Sequence, residues 1–318
     1  MESKDMKAIQ RVLDKIGVED LMNILCKEIP LSDLNTLLLE VFRQKTNDIT
    51  AVDLLKKYSM NRFVQPSEID PIWMKQLEVE LLKISKSSLY TPIQISPVSP
   101  LGSCSVIATA NQNKVISALR GTEVVSDATN VLALHVCDLL KKGKLKNDSD
   151  FIRFSTSHRH VRAQKFEQQG LVPHFNIFCM VTSGKDKGSY SFEQQALFEH
   201  IRVYRDIFKT VFNTDITVSL NASRGYADSK GLIQRLSDYM NKQLPEVSLV
   251  KNSIERDNLY YQGLQFTITA KLNGREINIG DGGIVDWSQQ LLGNKKERMF
   301  ISGIGLDLIY YILVNEGH

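Results

Sequence analysis

Apolar positions recur every three or four residues along the N-terminal stretch, the period of amphipathic helices. Met6 to Ile16 and Val18 to Ile29 carry it, and Leu31-Ser32-Asp33 opens a helix through Leu34, Leu37, Leu38, Val41 and Phe42. Asp48-Ile49-Thr50 starts a further segment through Leu54-Leu55. Helical continuity stops between Arg62 and Pro71, where Pro66 and Asp70-Pro71 interrupt it. This pattern predicts a helical unit over 1–62 and a second domain over 63–318.

In that second domain Ile72 to Lys86 reads as an amphipathic helix with Leu77, Leu81 and Ile84 on one face, followed by an extended run from Tyr90 to Pro97. Val115 to Ala118 and Glu123 to Val125 read as strands, and Thr129 begins a helix through Leu132, Val136 and Leu139-Leu140. Phe151 to Ser155 and His174 to Phe178 read as paired strands. A long helix from Ser191 to Phe208, a strand from Ile216 to Leu220 and a helix from Lys230 to Lys242 follow. Leu264 to Ala270 and Glu276 to Ile279 form strands turned by Asn273-Gly274. A short helix spans Val285 to Leu292, a strand spans Met299 to Ile301, and Leu306 to Val314 closes as an apolar helix. The expected fold class is α+β, with an antiparallel sheet of about six strands flanked by helices.

Composition narrows the function little. The 318 residues are 42% hydrophobic and 24% charged, with a net charge of +3 that calls for no nucleic-acid partner. No apolar run reaches the length of a membrane span and no signal-peptide core opens the chain, so a cytoplasmic protein is expected. Cys26, Cys104, Cys137 and Cys179 are scattered without CxxC spacing, which favours reduced thiols over a disulfide frame or a zinc site. The run Lys141 to Lys146 reads as a solvated helix terminus.

The chemistry concentrates in three places. Ser126-Asp127-Ala128-Thr129 precedes a helix, and Asp127 either caps that helix or offers a carboxylate to an ammonium group. His158-Arg159-His160-Val161-Arg162-Ala163-Gln164 follows a strand, with Lys165 to Leu171 reading as a loop before Phe175 returns. His158, His160 and His174 have no nearby acid or cysteine to complete a metal set, and no metal site is expected. Arg256, Tyr260-Tyr261, Gly282-Gly283, Asp286 and Gly303-Ile304-Gly305 line up near the C-terminus, where the glycines suit either a platform for a nucleotide or small polar substrate or, equally, structural turns that let backbone approach backbone.

In that order, these runs resemble the catalytic domain of class II aminoacyl-tRNA synthetases, closest to the histidyl enzymes and their paralogues. His158 to Gln164 resembles the family's FRHERPQ run, Arg256 with Tyr260-Tyr261 its arginine before a tyrosine pair, and Gly282-Gly283 its GGRYD run. The resemblance spans roughly Ile72 to Leu313. It implies that Arg159 grips an ATP α-phosphate beside Arg162, with Phe175 stacking adenine and Gly303 and Gly305 nearby. It implies that Asp127, Tyr260, Tyr261, Gly282 and Gly283 bind the substrate, and that Arg256 meets the reacting carboxylate. ATP with Mg2+ would be the cofactors. Ile72 to Lys86 and the strand after it resemble the family's first motif and imply a homodimer, while the N-terminal helices suit a protein partner.

Departures are as informative. Val161 stands for the motif 2 glutamate, Ile284 for the GGRYD arginine and Asp307-Leu308 for the motif 3 Glu-Arg. No anticodon-binding domain is read after Leu313. The expected activity is therefore activation of an amino acid or similar carboxylate as an adenylate, for an acceptor other than standard tRNA. The alternative is an inactive paralogue serving as a ligand-sensing regulatory or scaffolding subunit.

Overall fold

The structure, a computed structural model, describes residues 3–18, 20–147, 150–163, 173–226, 228–256 and 260–314, without the side chains of 3–5 and 253–256. The chain divides into two compact units, Met1–Met60 with Ala118–Thr122, and Asn61–Ser117 with Glu123–His318. In the first, α1 (Ser3–Ile16) is followed by α2 (Leu21–Asn23), which runs into a π-helical turn at Ile24–Glu28. The helix expected from Val18 starts only at Leu21, because Asp20 in front of it takes a left-handed φ of 59°. α3 (Leu31–Asn47) and α4 (Ala51–Met60) complete the unit. A reciprocal cap starts α4: Asp53 N donates to Thr50 Oγ1 at 3.1 Å and Thr50 N to Asp53 Oδ2 at 3.3 Å.

The remaining elements open with α5 (Pro71–Ser87), started by the Asp70 carboxylate, which accepts from Ile72 N and Trp73 N. Short strands β1 (Thr91–Pro92), β2 (Val98–Pro100), β3 (Ser117–Ala118) and β4 (Thr122–Val124) lead to α6 (Ala128–Lys141). Then come β5 (Ile152–Val161), β6 (His174–Lys185), α7 (Ser191–Phe212), β7 (Ile216–Ser223), α8 (Ser229–Gln243) and β8 (Ser248–Arg256). β9 (Leu264–Leu272), β10 (Arg275–Val285), α9 (Trp287–Leu292), β11 (Glu297–Gly305) and α10 (Leu306–Val314) finish the chain.

Eight strands form one sheet in the order β1-β5-β6-β11-β10-β9-β7-β8. Its centre is antiparallel as expected, but β1 runs parallel to β5 and β8 parallel to β7, so the sheet is mixed. A parallel neighbour needs a crossover, and α8 supplies it between β7 and β8. On one face α5, α7, α8 and α10 bury Leu81, Leu197, Ile201, Leu232 and Ile309 against Phe178, Val218, Phe266 and Phe300. On the other, α6 and α9 bring Leu132, Val136 and Trp287 onto Phe154, Val181, Met299 and Ile301. The candidate site lies on this second face.

Candidate functional site

Strand alternation decides which side chains reach the site. In the β5–β6 pair His160 lies opposite Phe175, and Arg159 lies opposite Asn176. His160 and Phe175 face the α6 side, their rings stacked with centroids 6.0 Å apart. Arg159 and Asn176 face the other way. Arg162, an odd number of positions after Arg159, returns to the α6 side, with its guanidinium carbon 5.2 Å from the centroid of the Phe175 ring. Its Nε donates to Ser126 O at 3.1 Å.

The start of α6 is held from several sides. Asp127 caps it, Oδ1 accepting from Thr129 N at 2.9 Å and from Thr129 Oγ1 at 2.6 Å. Tyr260 donates its hydroxyl to Oδ2 of the same carboxylate. His160 Nε2 accepts from Ala128 N at 2.8 Å, so its proton sits on Nδ1 and is donated to His158 O at 2.9 Å. Burial alone would raise the Asp127 pKa. The charge of Arg162, the hydrogen bonds from Thr129 and Tyr260, and His160 outweigh it and hold the carboxyl below its ordinary value. Asp127 is thus both a cap and a carboxylate facing the cleft.

That cleft has a volume of about 360 Å3. Gly303 and Gly305 of β11 and Ile177 and Cys179 of β6 form part of its lining, with Arg162, Tyr260 and Tyr261 around them. Tyr260 packs edge-on against Tyr261 and Trp287, with centroids 4.8 and 5.4 Å away. An adjoining recess of about 220 Å3 shares Asp127, Arg162 and Tyr260 and is closed by Cys104, Ala110 and Lys114. Glu123 pins this closing segment, accepting from Gly102 N at 2.8 Å, Cys104 N at 3.0 Å and Gln112 Nε2 at 2.9 Å.

The glycine run is strand rather than loop. A Cβ on Gly283 would stand 2.2 Å from Leu264 O, and one on Gly280 2.2 Å from Gly303 O, so the backbones themselves exclude side chains there. Gly282 faces the helical core, where a Cβ would meet the Phe266 ring at 2.5 Å. Between these glycines Asp281 reaches the cleft, its Oδ2 accepting from Gln265 Nε2 at 3.1 Å. Burial pushes its carboxyl above the usual value. Sequence reasoning passed over Asp281 and Glu123. A single carboxylate inside the apolar, glycine-rich run Ile279 to Ile284 was the available signal for the first.

The other expected residues lie elsewhere. Arg159 donates to His174 Nδ1, from Nη2 at 2.6 Å and from Nε at 3.1 Å, in a separate groove of about 910 Å3 alongside α5. Asp307 also faces away, accepting from Asn176 N at 2.6 Å, and Leu308 packs against the helical core. Arg256 ends β8, where it pairs with Ser223, and its side chain lies outside the described residues. Gln164 and the loop Lys165 to Leu171 lie outside them as well. Among the described residues no group of three or more His, Cys, Asp or Glu is placed to hold a metal ion.

Two buried imidazoles make the unit sensitive to acid. His200 lies between Thr182 Oγ1, 3.0 Å from Nε2, and Ser302 Oγ, 2.6 Å from Nδ1. Tyr90 and Tyr204 extend this chain at 2.9 and 2.8 Å. Burial, with Arg153 adding to it, lowers the His200 pKa to about 3, and burial foremost lowers that of His160 to about 3. Both folded values lie below the unfolded one, so the unfolded chain binds protons first. Stability is complete above pH ~6.5 and is lost as pH falls toward ~3. By pH ~5 each imidazole is expected to cost on the order of 2 kcal/mol. Urea midpoints at pH 7.5 and 5.0 measure this, and equal midpoints would contradict it.

No protein-family model matches the chain, and no curated protein matches its sequence. Solved structures do match its fold. Apo histidyl-tRNA synthetase from S. aureus aligns with a TM-score of 0.58 at 13% identity, covering 79% of this chain and 69% of that one. The class II aminoacyl-tRNA synthetase-like fold is the fold of this chain. An ATP phosphoribosyltransferase regulatory subunit/histidyl-tRNA synthetase from Bacillus halodurans aligns at TM-score 0.55 and 13% identity, covering 79% of this chain and 83% of that one. A histidine–tRNA ligase subunit from Alicyclobacillus acidocaldarius aligns at 0.54 and 11%, covering 80% and 97%. Within this synthetase-like fold, no helix among the described residues is long and apolar enough to cross a membrane.

Proposed function

We propose that the synthetase-like cleft binds a small amine-bearing molecule of amino-acid size and that the chain acts as a ligand-sensing subunit. One observation carries this reading: the Asp127 carboxylate is kept ionised by Arg162, Thr129 and Tyr260 while facing a cleft of about 360 Å3. A fixed carboxylate is the natural partner of an ammonium group. The regulatory side of the reading is supported by Asp307-Leu308 where the resemblance expects Glu-Arg: Asp307 is tied to Asn176 and Leu308 is in the core. The arginine that would brace ATP is absent from that position.

The test is thermal shift and calorimetry with the twenty amino acids on wild type and Asp127→Asn. A ligand should stabilise wild type, and the neutral isostere should bind it at least ~10-fold more weakly, since a charge-assisted hydrogen bond is roughly twice as strong as a neutral one. Equal binding by both proteins would overturn the assignment of Asp127.

Adenylate formation is the second reading, favoured by the cleft-facing Arg162 guanidinium above Phe175. Arg162 would meet the α-phosphate, while adenine stacking on Phe175 would have to compete with Arg162 and His160 for that ring. ATP would supply the leaving pyrophosphate, and Mg2+ would arrive with its phosphates. Pyrophosphate exchange with and without magnesium distinguishes the two readings.

A further inference from the structure

The cleft carries two carboxylates, and only one of them is used so far. Asp127 stands over β6, where Ala128 beside it packs with Cys179. Asp281 stands on β10. Strand register connects the two. Asp281 lies opposite Gly303 of β11, and Gly303 lies opposite Cys179, so the three form one row across the sheet. Neighbouring strands are about 4.8 Å apart, which sets Asp281 and Cys179 roughly 10 Å from one another at the backbone.

No side chain fills that interval. A Cβ on Gly303 would come 3.0 Å from Ile177 Cγ2 and 3.4 Å from Cys179 Sγ. Gly303 and Gly305 are only half-buried, while Ser302 and Ile304 are buried, so bare strand forms the open floor of the cleft. The tyrosine pair holds the two acids separately: Tyr260 donates to Asp127 and Tyr261 to Asp281. Among the described residues lining the cleft, Arg162 is the one cation set against them. Burial foremost, and the Asp127 charge as well, push the Asp281 carboxyl above its ordinary value despite the hydrogen bonds from Gln265 and Tyr261. An arriving cation would offset both effects.

We infer that the cleft takes a dibasic, chain-like amino acid of the lysine or ornithine kind. Its α-ammonium meets Asp127, its carboxylate meets Arg162, and its terminal ammonium meets Asp281 across the Gly303 floor. This rests on the reading of Asp127 given above and adds the far end of the ligand. A straight methylene chain suits a floor of bare backbone with Ile177 beside it. A guanidinium fork uses both oxygens of a carboxylate, and Asp281 Oδ2 already accepts from Gln265, so a single-point ammonium is the better match. Asp281 then sets specificity.

The experiment is calorimetry on the full chain with lysine, ornithine and norleucine, which is lysine without its terminal ammonium. Wild type should bind lysine or ornithine at least ~10-fold more tightly than norleucine. Asp281→Asn should remove that preference while norleucine affinity stays within a few-fold, and thermal melting checks its fold. Asp281→Glu keeps the charge one methylene further into the cleft and should move the preference from lysine toward ornithine. Should Asp281→Asn fail to fold, the wild-type comparison and Asp281→Glu still decide. Wild type binding norleucine as tightly as lysine and ornithine overturns this inference and leaves Asp127 as the amine site. A preference that survives Asp281→Asn overturns it too, as does tighter binding of arginine or histidine than of either chain-like ligand. Binding of no amino acid at all overturns both this inference and the reading on which it rests.

Discussion

Glu199→Ala should destabilise the synthetase-like unit by about 3–5 kcal/mol, the largest loss expected of any single polar side chain here. Arg153 of β5 donates to Glu199 of α7 through Nε at 2.7 Å and Nη2 at 3.0 Å. The two side chains are only 9% and 4% exposed. Hydrogen bonds from both guanidinium edges offset the desolvation of the pair, and removing the acid leaves the buried Nε edge of Arg153 unpaired, with only Nη1 still held by the exposed Asp150 and by Phe151 O. Gln195 also donates to Glu199, at 2.8 Å, so its partner is lost too. Replacing Arg153 and Glu199 together by apolar residues of similar volume should recover most of the loss. Chemical denaturation of the single and double variants measures both effects. A single variant within ~1 kcal/mol of wild type would show that water reaches Arg153.

Arg162→Ala should weaken the cleft's function by about two to three orders of magnitude, while Arg159→Ala should leave it within a few-fold. Arg162 is the guanidinium beside Asp127 and over Phe175, so a ligand carboxylate or phosphate would meet it first. Arg159 is engaged with His174 on the opposite face of the sheet. Arg162→Lys keeps the charge but loses the planar fork, and an intermediate loss is expected. Ligand affinity by calorimetry and adenylate formation by pyrophosphate exchange are the readouts. Equal losses in the two alanine variants would contradict the assignment by strand face.

The contrast between these two arginines shows where sequence reading loses its grip. Both sit in one run beside a strand, and their roles depend on which face each takes. Pattern alone ends that strand at Ser155, whereas β5 continues to Val161 and carries the alternation through Arg159. β6 likewise runs to Lys185, because Thr182 and Ser183 are buried in place of the expected apolar residues. β8 was not read because Lys251 and Asn252 interrupt its apolar pattern. Helices fared better: α5 carries its start signal in Asp70-Pro71, and α7 its period from Phe192 to Phe208. Asp127, Tyr260, Tyr261, Gly303 and Gly305 were legible and do share one cleft. Asp281 was hidden because its neighbours are glycines kept by backbone contact.

The mixed sheet also has a kinetic meaning. Its antiparallel centre includes β9–β10, a hairpin closed at Asn273-Gly274, which forms with little loop entropy. At one edge, Thr91 and Pro92 pair with Phe154 and Ser155 only after the whole intervening chain, including α6, has been gathered in. Closing so long a loop comes late in folding, and so small a ladder reopens easily. The first pairing to open is therefore the one beside α5 and the Arg159 groove. The hairpin at the sheet's centre is built to outlast it.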